Sequence, residues 1–220
     1  MKVAVIIPAY NAGDTLENLL AEATRYVNIN DVMVVNDGSY DATALVMGKF
    51  PVRSLAHIAN CGKGRALRTG FEQALSLGYD AVITLDADGQ HPPEYIPQLI
   101  QNAQKGFDIV IGSRRRQFGR MSFARFLSNN ITTVVVSLLA GRKIEDSQCG
   151  YRLIRREVLE AVDLKTDGYQ MESELLIKAG RRGFSIGHIP IDIRSSGTSH
   201  IRHLSDTVKF MNMALRALWL

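Results

Sequence analysis

Residues 81–88 read Ala81-Val82-Ile83-Thr84-Leu85-Asp86-Ala87-Asp88: a short apolar run that stops on two acids separated by one small residue. A run of that length and β-branched content fits a strand buried on both faces, as in parallel sheets. The same grammar recurs on either side. Val3–Ile7 ends in Pro8-Ala9-Tyr10-Asn11, Asp31–Val35 in Asn36-Asp37-Gly38-Ser39, and Phe107–Ile111 in Gly112-Ser113-Arg114. Helical periodicity fills the gaps, at Thr15–Tyr26, Asp41–Lys49, Gly64–Leu77 and Pro93–Gln104, with Arg53–His57 as a further strand. In the Gly64–Leu77 segment Ala66, Leu67, Phe71, Ala74 and Leu75 fall three and four apart, on one face. Alternating strands and helices predict an α/β protein with a Rossmann-like, mostly parallel sheet flanked by helices. Ligands of such sheets sit beyond the carboxyl ends of the strands, where this chain places its polar phrases.

The last third changes pattern. Met121–Ala140 reads as a long helix interrupted by Ser128-Asn129-Asn130. A polar loop at Glu145–Gly150, a strand at Tyr151–Ile154, helices at Glu157–Val162 and Met171–Arg182, and a strand at Phe184–Arg194 follow. Without repeats or low-complexity linkers, residues 1–204 are expected to form one domain. Residues 205–220 are then expected to form an amphipathic helix, with Leu204 just before it, Val208, Met211, Leu215 and Leu218 on one stripe, and Lys209, Arg216 and Trp219 beside it. That pattern suits a helix lying on an anionic bilayer, and packing against the domain suits it equally.

Composition narrows the classes. With 26 basic and 22 acidic residues the net charge is +4, a mild lean toward anionic partners such as nucleotide phosphates or an acidic membrane surface. Basic and aromatic residues are not interleaved as in base readers, so nucleic acid is not an expected partner. Cys61 and Cys149 are too few and too far apart for a disulfide scaffold or a CxxC site. The apolar stretch Ile131–Ala140 is far shorter than the roughly 20 residues a membrane helix needs. The Lys2–Ile7 start reads as a strand rather than a signal peptide. The expected location is cytoplasmic, with peripheral attachment to the membrane face as an option.

Alternate residues of an extended segment point the same way, so Asp86 and Asp88 can converge on one hard cation, Mg2+ or Mn2+. A cation there would neutralise a diphosphate leaving group. Gln90 and His91 can add ligands or contacts behind them. A simple surface turn at Asp88-Gly89 is the competing reading. Asp37 can accept from a base or ribose, or cap the turn it precedes. Lys63 stands just before a helix N-terminus, suited to anions, but its phrase lacks the first glycine and the Ser or Thr of a P-loop. Arg114 stands out of Arg114-Arg115-Arg116 by its place at a strand end. Asp146 is either a general base toward a hydroxyl or a turn cap. Glu172 and Glu174, two apart on a helix, cannot both serve a site.

The phrases VIIPAYNAGDTL, VVNDGSYDAT, NCGKGRALRTG, LDADGQHPPEYIPQLI, IGSRR and DSQCGYRLIRREVLEAV, in that order, resemble the inverting GT-A glycosyltransferases. The last is most similar to the branch that makes dolichol-phosphate and polyprenyl-phosphate sugars. The resemblance spans residues 3 to about 210 and implies a nucleotide-sugar donor (GDP- or UDP-linked), a divalent metal, and inversion at the anomeric carbon. By motif, Pro8, Ala9, Tyr10, Asp37, Lys63, Asp86 and Arg114 are expected at the donor, and Asp86, Asp88 and Gln90 at the metal. Asp88, Arg114, Asp146 and Arg202 are the expected catalytic set, with Gln148, Arg194, His200 and Arg202 on the acceptor side. The chain departs from the pattern at Ala12, where lipid-directed members carry Glu, and at Asn36, where they carry Asp. A polyprenyl phosphate is the expected acceptor. A saccharide hydroxyl, or nucleotide-sugar binding without turnover, are the alternatives; the intact acidic pair argues against the last.

Overall fold

The computed structural model describes residues 1–114 and 123–194. Seven strands form one sheet: β1 (Val3–Ala9), β2 (Val32–Asp37), β3 (Arg53–His57), β4 (Ala81–Thr84), β5 (Ile109–Ser113), β6 (Arg152–Arg155) and β7 (Ile186–Pro190). Their spatial order is β3-β2-β1-β4-β6-β5-β7. All neighbours are parallel except β6, which runs antiparallel to both β4 and β5. The mostly parallel sheet expected from the alternation is therefore present.

The central strands are apolar because both faces are covered. Ala4, Val5, Ile6 and Ile7 of β1, and Val32 to Val35 of β2, are wholly shielded from solvent. Burying each such Val or Ile stabilises the fold by about 1.5–3 kcal/mol before entropy is counted. Helix α1 (Gly13–Ala23) lays Leu16, Leu19, Leu20 and Ala23 inward, and α3 (Lys63–Ser76) lays Ala66, Leu67, Phe71 and Ala74 inward. Between them α2 (Thr43–Met47) is a single short turn. Further along the chain come α4 (Ile96–Gln104), α5 (Phe123–Ala140), α6 (Arg156–Ala161) and α7 (Gln170–Arg181).

Several boundaries move. Pro93–Tyr95 forms a 3-10 turn ahead of α4 rather than its first turn. Strands β2 and β5 run two residues further than the apolar pattern, because polar Asn36, Asp37 and Ser113 still pair with neighbouring strands. The last strand ends at Pro190 rather than Arg194, because its partner β5 ends opposite it at Ser113. Helix α5 passes through Ser128-Asn129-Asn130 without interruption. Ser and Asn cost a helix only a few tenths of a kcal/mol each, too little to break it when its inner face packs on α7. None of the described helices is long and apolar enough to cross a membrane. The segment 205–220, expected as an amphipathic helix, lies outside the described residues.

Candidate functional site

The polar strand ends meet along one edge of the sheet. Asn11, the one described non-glycine with positive φ (49°), turns the chain after β1. Its amide donates to Ser39 Oγ at 3.0 Å and its own Oδ1 accepts from the Tyr40 amide at 3.1 Å. Ala12 and Gly13 amides donate to Thr43 Oγ1 and Asp41 Oδ2. These bonds lock the two loops into one wall, on which Tyr10 and Tyr40 stand exposed, edge to face. Pro8 and Ala9 lie in β1 beside Val35 and Asn36.

Asp37, expected at the nucleoside, is almost wholly buried and committed to the next loop. Its Oδ1 accepts from the Cys61 amide (2.9 Å) and lies 2.7 Å from His57 Nδ1, while Oδ2 accepts from the Gly62 amide (2.8 Å). With Nδ1 donating, His57 Nε2 is left to accept from Thr69 Oγ1 at 3.0 Å. The carboxylate, imidazole and Cys61 thiol lie within 4.8 Å of one another. That donor set suits a thiophilic metal such as zinc better than Mg2+, and its acceptor atoms are already engaged in these bonds. Gly62 then opens α3 at φ +98°; a side chain there would meet the Asp167 carbonyl at 2.6 Å.

Asp86 and Asp88 leave the end of β4 half-exposed, while Ala87 between them is buried in the core. Ala87 and Asp88 lie in a turn beyond the strand, so the two acids are set by turn geometry rather than by the alternation of extended chain. Asp88 Oδ1 accepts from the Gln90 amide at 2.9 Å. Asp86 Oδ1 lies 2.7 Å from Lys63 Nζ, and the same ammonium lies 3.2 Å from Glu172 Oε2. Burial opposes the charge on Lys63, but Asp86 and then Glu172 more than offset it and hold the ammonium above the ordinary lysine range. Burial likewise opposes ionisation of Asp86, and Lys63 followed by His91 outweighs it, so its carboxyl stays below the ordinary range. Gly150 lines this cluster: a Cβ there would fall 2.7 Å from Asp86 Oδ2, 2.8 Å from Lys63 Nζ and 3.0 Å from Glu172 Oε1.

Across the site, Arg114 grips Asp146 with Nε–Oδ2 at 2.7 Å and Nη2–Oδ1 at 2.8 Å. Despite the burial that disfavours it, Arg114 keeps the Asp146 carboxyl below its ordinary value. Asp146 Oδ1 also accepts from the amide of Gln148, whose side chain is exposed. Beneath them Cys149 Sγ lies 3.5 Å from His91 Nε2. Burial pushes the thiol up to about 12 and the imidazole down to about 4, so both are neutral near pH 7 and the thiol is no nucleophile. The fully buried Arg152 donates to the carbonyls of Ser147, Cys149 and Glu172, fixing the 147–150 loop to the first turn of α7.

Lys63, Asp86, Glu172 and Gly150 are thus brought together, and Arg114 pairs with Asp146. Arg194 instead makes a bidentate ion pair with Glu22 of α1, at 2.6 and 2.7 Å. His200 and Arg202 lie outside the described residues. Of the two helix acids, Glu172 faces Lys63, while Glu174 caps the Lys165-Thr166 loop and bonds Lys178. Sequence reasoning passed over Arg152, although a lone charge inside Tyr151–Ile154 signals a buried cation with a structural task.

Residues 4–163 match Glycosyl transferase family 2. The chain is 34% identical over 216 residues to a dolichol-phosphate mannosyltransferase of Pyrococcus furiosus, covering 92% of this chain and 60% of that protein. It is 33% identical over 202 residues to an undecaprenyl-phosphate mannosyltransferase of Micrococcus luteus, covering 87% and 83%. A crystal structure of glucosyl-3-phosphoglycerate synthase from Mycobacterium tuberculosis, complexed with Mn2+, UDP and glucosyl-3-phosphoglycerate, superposes with a TM-score of 0.78. It is 19% identical, over 98% of this chain and 79% of that one, a likeness of fold. The chain therefore belongs to glycosyl transferase family 2.

Proposed function

We propose that this chain moves a sugar from a UDP- or GDP-sugar to a polyprenyl phosphate, with inversion, using Mg2+ or Mn2+ held by Asp86, Asp88 and Gln90. The named relatives support the acceptor, since both are transferases to a polyprenyl-type phosphate. The observation that carries the reading is the Arg114–Asp146 pair. A hydroxyl acceptor needs a carboxylate free to take its proton. Asp146 is instead tied through both oxygens to a guanidinium. A phosphate monoester, largely dianionic above its second pKa of about 6, needs no such base.

On this reading the acceptor oxygen attacks the anomeric carbon opposite the donor diphosphate. The new C–O bond forms as the old one breaks, and the electron pair leaves on the diphosphate. A bound divalent cation would supply charge neutralisation of that leaving group. Two carboxylates within three residues after β4 are a donor set that suits Mg2+ or Mn2+. Lys63, at the N-terminus of α3, adds a positive charge where backbone N–H groups already favour anions. Pro8, Ala9, Tyr10 and Asp37 form the nucleoside wall, Asp37 by holding the 57–62 loop. Gln148 and Arg194 serve the acceptor side, Arg194 on release from Glu22, and the expected roles of His200 and Arg202 there rest on the sequence resemblance alone. Peripheral attachment to the membrane is supported by α5, whose Ile131, Val134 and Leu138 are exposed at spacings of three and four.

The test is transfer from labelled UDP- and GDP-sugars into vesicles carrying undecaprenyl phosphate, with Mn2+. Labelled lipid should appear, stop on chelation, return with Mn2+ or Mg2+, and be abolished by Asp88→Ala. Transfer to free saccharides alone, or full activity in excess chelator, would overturn the reading.

A further inference from the structure

The Lys63 ammonium sits between two carboxylates on different elements, Asp86 after β4 and Glu172 in the first turn of α7. The contacts are unequal: 2.7 Å to Asp86 and 3.2 Å to Glu172. Glu172 nevertheless has acceptor capacity in hand. Its Oε1 is buried and makes no hydrogen bond to any described residue. Leaving such an oxygen unpaired is costly, so its retention asks for a second state in which it is used. The ring of Tyr169 lies 5.7 Å from the ammonium, an aromatic face able to accompany a lysine that moves toward α7. Arg152 holds the Glu172 carbonyl at 2.8 Å and so fixes the backbone of this second acceptor. Gly150 leaves the space among Asp86, Lys63 and Glu172 free of side-chain atoms.

We propose that Glu172 is a positioning residue that provides an alternate seat for Lys63: the ammonium neutralises Asp86 in the cation-free protein and shifts to Glu172 when a divalent cation takes Asp86. The proposal rests on the Asp86–Asp88 metal reading above. Lysine and metal cannot share the same Asp86 oxygen, and two cations on one carboxylate repel. With the Glu172 seat present, the metal displaces the lysine by a short swing within the site. Without it, the lysine remains a tethered competitor. The unpaired Oε1 is the acceptor that the arriving ammonium fills.

Mn2+ binding to the nucleotide-free protein, followed by the loss of the free-ion paramagnetic resonance signal, reads this directly. Lys63→Met should bind Mn2+ about fivefold or more tightly than the natural protein, and Glu172→Gln about fivefold or more weakly. In the Lys63→Met background, Glu172→Gln should then have little effect, because the competitor it serves is gone. Equal weakening in both backgrounds would mean that Glu172 acts only as a distant negative charge, and would overturn the proposal. Weaker binding or unchanged binding by Lys63→Met would overturn it too. Thermal melting checks each fold; Lys63→Met decides alone if Glu172→Gln does not fold, and Lys63→Gln takes its place if Lys63→Met does not. A natural protein that fails to bind Mn2+ removes the metal reading and this proposal together; normal Mn2+ binding with no lysine effect removes this proposal alone.

Discussion

Arg114 and Asp146 face each other fork to fork, the guanidinium Nε and Nη2 on the two carboxylate oxygens, and the Arg114 amide donates to the same carboxylate at 3.3 Å. The end of β5 is thereby bolted to the loop that leads into β6. Both side chains are largely buried, so the bond is shielded from water that would otherwise weaken it.

Breaking this pair should damage the fold before it damages a proton transfer. Asp146→Asn leaves Arg114 buried without its counter-charge and should cost about 3 kcal/mol, read by chemical denaturation. The residual enzyme should keep its pH profile. A preserved stability with an altered pH optimum would instead mark Asp146 as a base.

Gly150→Ala should be among the most harmful small substitutions in the chain. Its methyl would press on Asp86, Lys63 and Glu172 at 2.7–3.0 Å, in a place where the flanking backbone is held by Arg152 and by the Thr84 hydroxyl. Overpacking of this kind costs about 1–3 kcal/mol. Donor turnover should fall much further than stability does, because the group displaced first is the Lys63–Asp86 contact. Turnover that merely tracks the melting temperature would show Gly150 to be a packing residue alone.

His91 predicts an acid limb of stability. Burial lowers its folded-state pKa to about 4, against about 6.5 for an unfolded histidine. Above pH 6.5 both states are neutral and the group is silent. Below it only the unfolded chain takes the proton, so stability is lost as pH falls from about 6.5 to 4. Asp86 and Asp146, both held below their ordinary values, add a loss at lower pH, as it falls through their folded-state pKa values. His91→Gln should flatten the pH 4–6.5 part of the stability curve. An unchanged slope would show that the imidazole is reached by water.

Arg202 tests the acceptor side. If it meets a lipid phosphate, Arg202→Ala should reduce transfer to undecaprenyl phosphate by at least an order of magnitude, the worth of one charge-assisted contact of about 1.5–3 kcal/mol. Donor binding, followed by thermal shift, should barely change. Removal of residues 205–220 should weaken vesicle binding if that segment is interfacial; unchanged binding leaves α5 as the docking face.

Periodicity alone was enough for the architecture. Continuous apolar runs at Val3–Ile7 and Ala81–Leu85, alternating with helical faces, allow only a covered, largely parallel sheet, and such a sheet places its ligand site at the strand ends. The acids of Asp86-Ala87-Asp88 were legible as a pair at a strand end, but a turn over residues 87–88, and not the two-residue repeat of extended chain, sets their direction. Local pattern does not carry the partners of a side chain, which are set by elements far apart in sequence. Nothing near Asp146 announces Arg114, and nothing near Lys63 announces Glu172 on α7. Asp37 reads as an open ligand to the nucleoside until β3 and the Cys61-Gly62 turn close over it. Arg194 reads as a free cation until α1 brings Glu22 alongside. Even the direction of β6, antiparallel in a parallel sheet, depends on where the chain returns after α5 rather than on the apolar content of the strand. Those choices are made by packing, because a buried charge must find its counter-charge or hydrogen-bond partners wherever the tertiary structure supplies them.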